Sequence, residues 1–205
     1  MKKPGKPPKR IPKEEELIKA IPLVYSRLHR GFAMYIWITR VHPMLRDHPD
    51  YENRRTELIS IKSACVESTL ISIRDLDDFF RPRTQNDWDS DMRATDYFDF
   101  KSSGAFLSQD ERTSINQHIA HLTYQPVWEQ CAELEMDTLK TKEFDTAALL
   151  EKAARAVFAF LTYLEEKLPA DHSEAIEAIK VARAAMERGL NNVNALASLE
   201  RESQS

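Results

Sequence analysis

Apolar residues spaced by three and four positions over residues 51–80 constrain the fold of this chain more than any other feature. The stripe comprises Leu58, Ile61, Cys65, Thr69, Ser72 and Leu76, widened by Ile59, Val66, Ile73 and Phe80. This spacing predicts a single long helix. Because Leu70, Ile71 and Phe79 add apolar side chains around it, the helix must cross a core or pack against a partner.

The N-terminal part predicts a second long helix. A helical pattern begins at Lys13-Glu14-Glu15-Glu16. Pro22 is expected to set the first turn of a long helix over residues 23–42, since proline is favoured at the start of a helix. His42-Pro43 and His48-Pro49 are expected to break the chain after that helix, because a residue before proline resists the helical conformation.

The C-terminal part predicts further helices after a short turn at residues 97–100, which Tyr97, Phe98 and Phe100 are expected to attach to the core. Ser108 and Glu111 form a capping box that begins a helix ending near Tyr124. Further helical segments are predicted over 127–139, over 146–168 with Asp145 as its cap, and from Asp171 to Gly189. No strand alternation or internal repeat is present. We therefore predict an all-α antiparallel bundle of four to five principal helices, with one domain over 14–190, a basic disordered tail over 1–13 and a weakly ordered tail over 191–205.

Composition excludes several classes of protein. The four glycines are scattered and form neither GxGxxG nor GxxxxGK[ST], which excludes those two kinds of nucleotide site. No stretch of 18 apolar residues and no secretory leader is present, so we expect no membrane span and a cytoplasmic protein. Cys65 and Cys131 lie in predicted helices without metal-type spacing, and we interpret them as buried thiols.

The net charge of −4 conceals an asymmetry between the tail and the body. Residues 1–13 carry six Lys or Arg and no acid, which leaves −10 on the remainder. Two interpretations of the proline-rich tail stay open: it contacts RNA phosphates, or it is a solvated leader.

The predicted helix over 108–124 holds the densest set of reactive side chains. At about 100° per residue, Arg112 and Asn116 share one face, and His118 and His121 share another. Three interpretations are open: acid–base chemistry on a phosphodiester, a metal site with acids of the 87–99 loop, or a structural role. The histidine spacing lacks the i, i+4 pattern of zinc helices, so we predict no metal and no cofactor. Asp75, Asp77 and Asp78 fan around their helix and are interpreted as a solvated or helix-bridging face.

The segment Ile115-Asn116-x-x-Ile119-Ala120-His121 resembles the arginine–polar–x(3–5)–histidine signature of HEPN domains. Ile73-Arg74-Asp75-Leu76-Asp77-Asp78-Phe79-Phe80 is similar to the second long helix of these domains, and His121-Leu122-Thr123-Tyr124 completes the likeness. The resemblance covers roughly residues 50–165. It implies a helical bundle that forms a homodimer and acts on RNA.

Many HEPN domains are metal-independent endoribonucleases of bacterial toxin–antitoxin or phage-defence systems, and others bind RNA or protein partners such as an antitoxin without catalysis. The resemblance implies that His121 or His118 is the acid or base, Arg112 the charge stabiliser and Asn116 an orienting donor. Arg74, Asp75 and Tyr124 are candidate supporting residues, and Arg74 would supply the missing positive charge if packing brings it close to the site. This sequence departs from the pattern because Ile115 occupies the arginine position, and the alternative register pairs Arg112 with His118. The alternative function is a non-catalytic bundle that binds a partner protein.

Overall fold

The computed structural model describes residues 13–84, 92–124 and 144–203; side chains are described for the same ranges except 120–124 and 200–203. The described residues form helices and no strand: α1 (Glu14–Ile36), α2 (His42–Arg46), α3 (Tyr51–Phe80), α4 (Gln109–Tyr124), α5 (Thr146–Lys167) and α6 (Ser173–Ser203). The predicted all-α bundle is confirmed, and the described ranges contain five long helices and one short one. No helix within the described ranges is long and apolar enough to cross a membrane.

Helix α1 begins at Glu14, which confirms the helical pattern predicted from Lys13, and it continues without a break through Pro22, where a new helix was expected to start. Three glutamates lie in its first turn, where they interact favourably with the helix dipole, and a Glu16 carboxylate oxygen accepts a hydrogen bond from the Lys13 backbone N–H at 3.1 Å. Pro22 lies inside the helix on its exposed side. The prediction for Pro22 is wrong because the capping interactions at Lys13–Glu16 start the helix upstream.

The predicted break at His42-Pro43 is also wrong. Helix α1 continues through a π-helical turn, Trp37–Val41, directly into α2. Pro43 has no backbone N–H to donate, and the π-helical turn lies immediately before α2, in which Pro43 is the second residue. The predicted break at His48-Pro49 is confirmed, because the helix ends at Arg46 and residues 47–50 form a turn before α3 begins at Tyr51.

The five long helices alternate in direction along the chain. Consequently α1 and α6, the first and last of them, run parallel to each other: Glu14 lies 3.6 Å from His172 just before α6, and Phe32 near the end of α1 contacts α6 at Gly189. Helix α5 packs against α1, α3 and α6.

An aromatic cluster of Phe79, Phe80, Tyr97, Phe100 and Phe160 fills the core with edge-to-face ring contacts. This confirms that aromatic residues attach the turn at residues 97–100 to the core.

Helix α6 does not end at Gly189. It continues to Ser203, and Val193 and Ala197 are buried in the core, so the predicted end of the domain at residue 190 is wrong. A Cβ atom at position 189 would lie 2.6 Å from the Phe32 ring. Glycine is therefore present because α1 and α6 approach closely here, and not because the helix ends.

The predicted caps of α4 and α5 are confirmed. The Glu111 backbone N–H donates to the Ser108 hydroxyl at 3.2 Å, and the Ser108 N–H donates to the Glu111 carboxylate at 2.8 Å. Asp145 accepts from the Ala148 N–H at 3.0 Å.

Cys65 is buried, and burial raises the pKa of its thiol. Cys131, the tail and the predicted helix over 127–139 lie outside the described residues.

Candidate functional site

The orientation of α4 is fixed by Ile115. Its side chain is fully buried in the core of the bundle. In the register that places residue 115 at the arginine position of the HEPN signature, that position therefore points into the core. An arginine there would have no access to a substrate, so only the register with Arg112 leaves a guanidinium on α4 with partial exposure.

Arg112 binds a carboxylate on the neighbouring helix α3. Its Nε and Nη2 atoms lie 2.9 and 2.5 Å from Asp77 Oδ2. The other oxygen, Oδ1, accepts a hydrogen bond from the Leu107 backbone N–H at 2.8 Å. The Asp77 side chain is 0 % exposed, whereas that of Arg112 is 21 % exposed. Both oxygens of the Asp77 carboxylate therefore have hydrogen-bond donors. Through Arg112 and Leu107, Asp77 joins α3 to α4 and to the segment that precedes α4.

This pair explains why an acid lies in the apolar stripe of α3. Asp77 follows Ile73 by four positions and precedes Phe80 by three, so it shares their buried face. A buried carboxylate is very costly without a compensating charge. Arg112 supplies that charge, so of the two alternatives for the acids of α3, solvated or helix-bridging, Asp77 is helix-bridging. Its partner was not predicted, although a lone acid inside a buried stripe signals that an arginine or lysine must face it.

His118 lies on the side of α4 that faces α3 and the start of α5. Its ring contacts Phe144 edge-on, with 5.5 Å between centroids. Burial lowers the pKa of His118, and the negative charge of Glu67 on α3 opposes this shift only in part. The imidazole is therefore neutral at pH 7. In the same part of the bundle Glu111 binds Lys152 of α5 at 2.6 Å; burial alone would raise the pKa of Glu111, but the hydrogen bonds from Lys152 and Ser108 lower it overall.

Asn116 lies one turn after Arg112 on the same face of α4, and its side chain is exposed. His121 and Tyr124 lie in the last turns of α4, and their side chains fall outside the described part. Arg112 and His121 are separated by nine positions, which at 3.6 residues per turn places them about 180° apart around the helix.

Arg74 and Asp75 lie towards α1 and not towards α4. Asp75 is 3.6 Å from Arg27 of α1 and 3.8 Å from Arg74, and each of these side chains is about one third exposed or more. These are surface ion pairs of small energetic value. Among the described residues Arg74 is paired with Asp75 and forms no ion pair with α4, so this geometry gives no support to Arg74 as the source of the missing charge.

A shallow groove of about 710 Å³ runs between the parallel helices α1 and α6. Its floor is apolar, with Met186 buried and Val181 61 % exposed. Tyr25 and His29 contribute from α1. The charged side chains among the described residues that line it are two exposed carboxylates, Glu174 and Glu177. No local pattern in the sequence predicted this groove, because the groove forms only where α1 and α6 pack side by side.

Within the described ranges, no group of three or more His, Cys, Asp or Glu side chains is placed to hold a metal ion. The acidic residues Asp87, Asp89 and Asp91 lie outside those ranges. Comparison with known proteins finds no matching family model, no similar curated protein and no similar solved structure.

Proposed function

We propose that this chain is a non-catalytic interaction module with a HEPN-like bundle, and that it binds a segment of a partner protein. The Arg112–Asp77 pair is the observation that carries the proposal. An arginine that stabilises a phosphorane must direct its charge and its N–H donors at the phosphate. In this chain the Arg112 Nε and Nη2 donors are directed at a fully buried carboxylate.

Withdrawing the guanidinium from Asp77 towards a substrate would leave a buried carboxylate without its charge partner. The cost of breaking a buried ion pair in this way is about 3–5 kcal/mol. That is comparable to the whole contribution expected from one charge-stabilising group in catalysis, which is about 3–4 kcal/mol. The pair therefore supports a structural role for Arg112 and weakens the case for phosphodiester cleavage at α4.

The groove between α1 and α6 is the surface that we propose for binding. The Val181 side chain is 61 % exposed and lies among apolar groove residues. Burying this apolar surface against apolar side chains of a partner is favourable. Glu174 and Glu177 favour lysine or arginine beside them. We therefore expect the partner segment to combine apolar residues with basic ones.

A peptide of repeated Leu-Lys-Lys-Leu units, labelled for fluorescence anisotropy, tests this proposal. We expect the chain to bind it and the substitution Val181→Lys to weaken binding by at least about tenfold, since the substitution places a cation in the groove. Leu199→Lys is a matched control: Leu199 is also on α6, is also 61 % exposed and does not line the groove. Equal effects of the two substitutions would contradict the proposal.

A second candidate is a metal-independent endoribonuclease in a homodimer, of the kind found in toxin–antitoxin or phage-defence systems. The lowered pKa of His118 favours it, because a neutral imidazole can accept a proton from a ribose 2′-hydroxyl. In that case His121 or His118 would be the base, Asn116 would orient the substrate, and the second subunit would complete the cleft. Light scattering gives the oligomeric state, and a monomer at tens of micromolar would remove the shared cleft.

A further inference from the structure

We infer that in the isolated chain the N-terminal segment, residues 1–12, occupies the groove between α1 and α6 and competes there with the partner. This inference rests on the proposed function, because it names what fills the same groove before a partner binds. The chemistry of the segment, the place where it leaves the bundle and its length all support it.

The segment and the groove have complementary charge. Residues 1–12 contain five basic side chains and no acid: Lys2, Lys3, Lys6, Lys9 and Arg10. The groove is bordered by Glu174 and Glu177, both exposed and both in the first two turns of α6. The rest of the body, residues 14–205, is strongly acidic, so the attraction is not opposed by the overall field.

The apolar content of the segment also fits. Four prolines, Pro4, Pro7, Pro8 and Pro12, and one isoleucine, Ile11, stand among the basic residues. Proline-rich segments with adjacent basic residues bind in grooves that offer an aromatic side chain, because little conformational entropy is lost when they bind. Tyr25 provides the aromatic ring on the α1 side of the groove, and Val181 and Met186 provide apolar surface on the α6 side.

The segment leaves the bundle at the correct end of the groove. Glu14, the first residue of α1, lies 3.6 Å from His172, which immediately precedes α6. The acidic end of the groove, at Glu174 and Glu177, is therefore next to the point where residue 12 joins residue 13. Twelve extended residues span up to about 40 Å, whereas the α6 side of the groove from Glu174 to Met186 measures about 18 Å. The segment is long enough to turn back and follow the whole groove.

The test uses a labelled peptide of residues 1–12 and two proteins, the full chain and the chain lacking residues 1–12. An attached segment acts at an effective concentration of about 1 mM. For a peptide Kd of about 0.1 mM, competition by the attached segment makes the full chain bind the peptide about tenfold more weakly than the shortened chain. The double substitution Glu174→Lys/Glu177→Lys in the shortened chain should abolish peptide binding. Glu187→Lys, on an exposed position of the same helix outside the groove, should not change it.

Equal affinity of the full and shortened chains for the peptide would overturn the inference. If neither chain binds this peptide but the Leu-Lys-Lys-Leu peptide binds the shortened chain in a manner that Val181→Lys weakens, the inference fails and the proposed function stands. If neither peptide binds, both fail. RNA binding by the full chain that is lost on deletion of residues 1–12 and unchanged by Glu174→Lys/Glu177→Lys would show that the segment contacts RNA instead, and would also overturn the inference.

Discussion

Replacement of Arg112 by methionine is expected to destabilise the bundle strongly, because it leaves the carboxylate of Asp77 buried without a counter-charge. Methionine keeps the length and the apolar stem of the side chain, so the change removes mainly the guanidinium. Removing one partner of a buried ion pair costs about 3–5 kcal/mol. The Arg112 side chain is 21 % exposed, and the Leu107 N–H still donates to Asp77 Oδ1 in the variant. We therefore expect a loss of unfolding free energy at the lower end of this range, about 3 kcal/mol. For a chain of this size that lowers Tm by roughly 6–12 °C.

The measurement is urea unfolding followed by far-UV circular dichroism, with Arg54→Met as the matched control. Arg54 also forms an ion pair on α3, with Glu57 at 2.9 Å, but these side chains are 61 % and 54 % exposed. Loss of such an exposed pair costs less than about 0.5 kcal/mol. The substitution Asp77→Asn should cost less than Arg112→Met, because the remaining guanidinium is partly exposed to water whereas the remaining carboxylate is not. The double variant should cost less than the sum of the two single variants.

An Arg112→Met variant whose free energy of unfolding lies within about 0.5 kcal/mol of wild type at pH 7 would refute the reasoning.

Three further predictions follow from the same packing. Gly189→Ala should destabilise the chain by about 1–3 kcal/mol, because the added methyl group collides with the buried Phe32 ring; a gain of about 1 kcal/mol, as in a free helix, would contradict the close contact. Ile115→Ala should cost about 2–4 kcal/mol in urea unfolding, and a near-neutral effect would show that α4 does not pack as described. Burial lowers the pKa values of His42 and His118 in the folded state, so stability should fall as pH drops below about 6.5, and a curve that stays flat there would argue against burial of these imidazoles.

Local signals in the sequence predicted the helices well where the relevant interactions are local. The capping residues Ser108, Glu111 and Asp145 act within one turn, and the stripe of α3 repeats over its whole length. For this reason the bounds of α3 and the starts of α4 and α5 are confirmed. Pro22 misled the prediction because a local preference for the first turn does not require a helix to begin there.

The remaining features depend on contacts between distant parts of the chain. Gly189 is needed because Phe32, far away in sequence, packs against it, and no local pattern distinguishes this from a helix end. The role of Arg112 likewise depends on Asp77, 35 positions earlier. The sequence places Arg112 and Asn116 on one face of α4 and His118 on another, but which neighbouring helices these faces meet depends on the contacts that bury Ile115. The groove arises from the parallel pairing of α1 and α6 and has no counterpart in any single segment.

The most direct measurement is RNA cleavage by the folded wild-type chain, on a mixed pool of end-labelled RNA in the presence of EDTA and, in parallel, of Mg²⁺. Our account predicts that the products do not increase over a buffer control under either condition, because the Arg112 guanidinium is bound to Asp77 and α4 does not present it to a phosphate. Cleavage in EDTA that yields 2′,3′-cyclic phosphate ends and is abolished by His121→Ala or His118→Ala would contradict the account, and would make the chain an active metal-independent endoribonuclease.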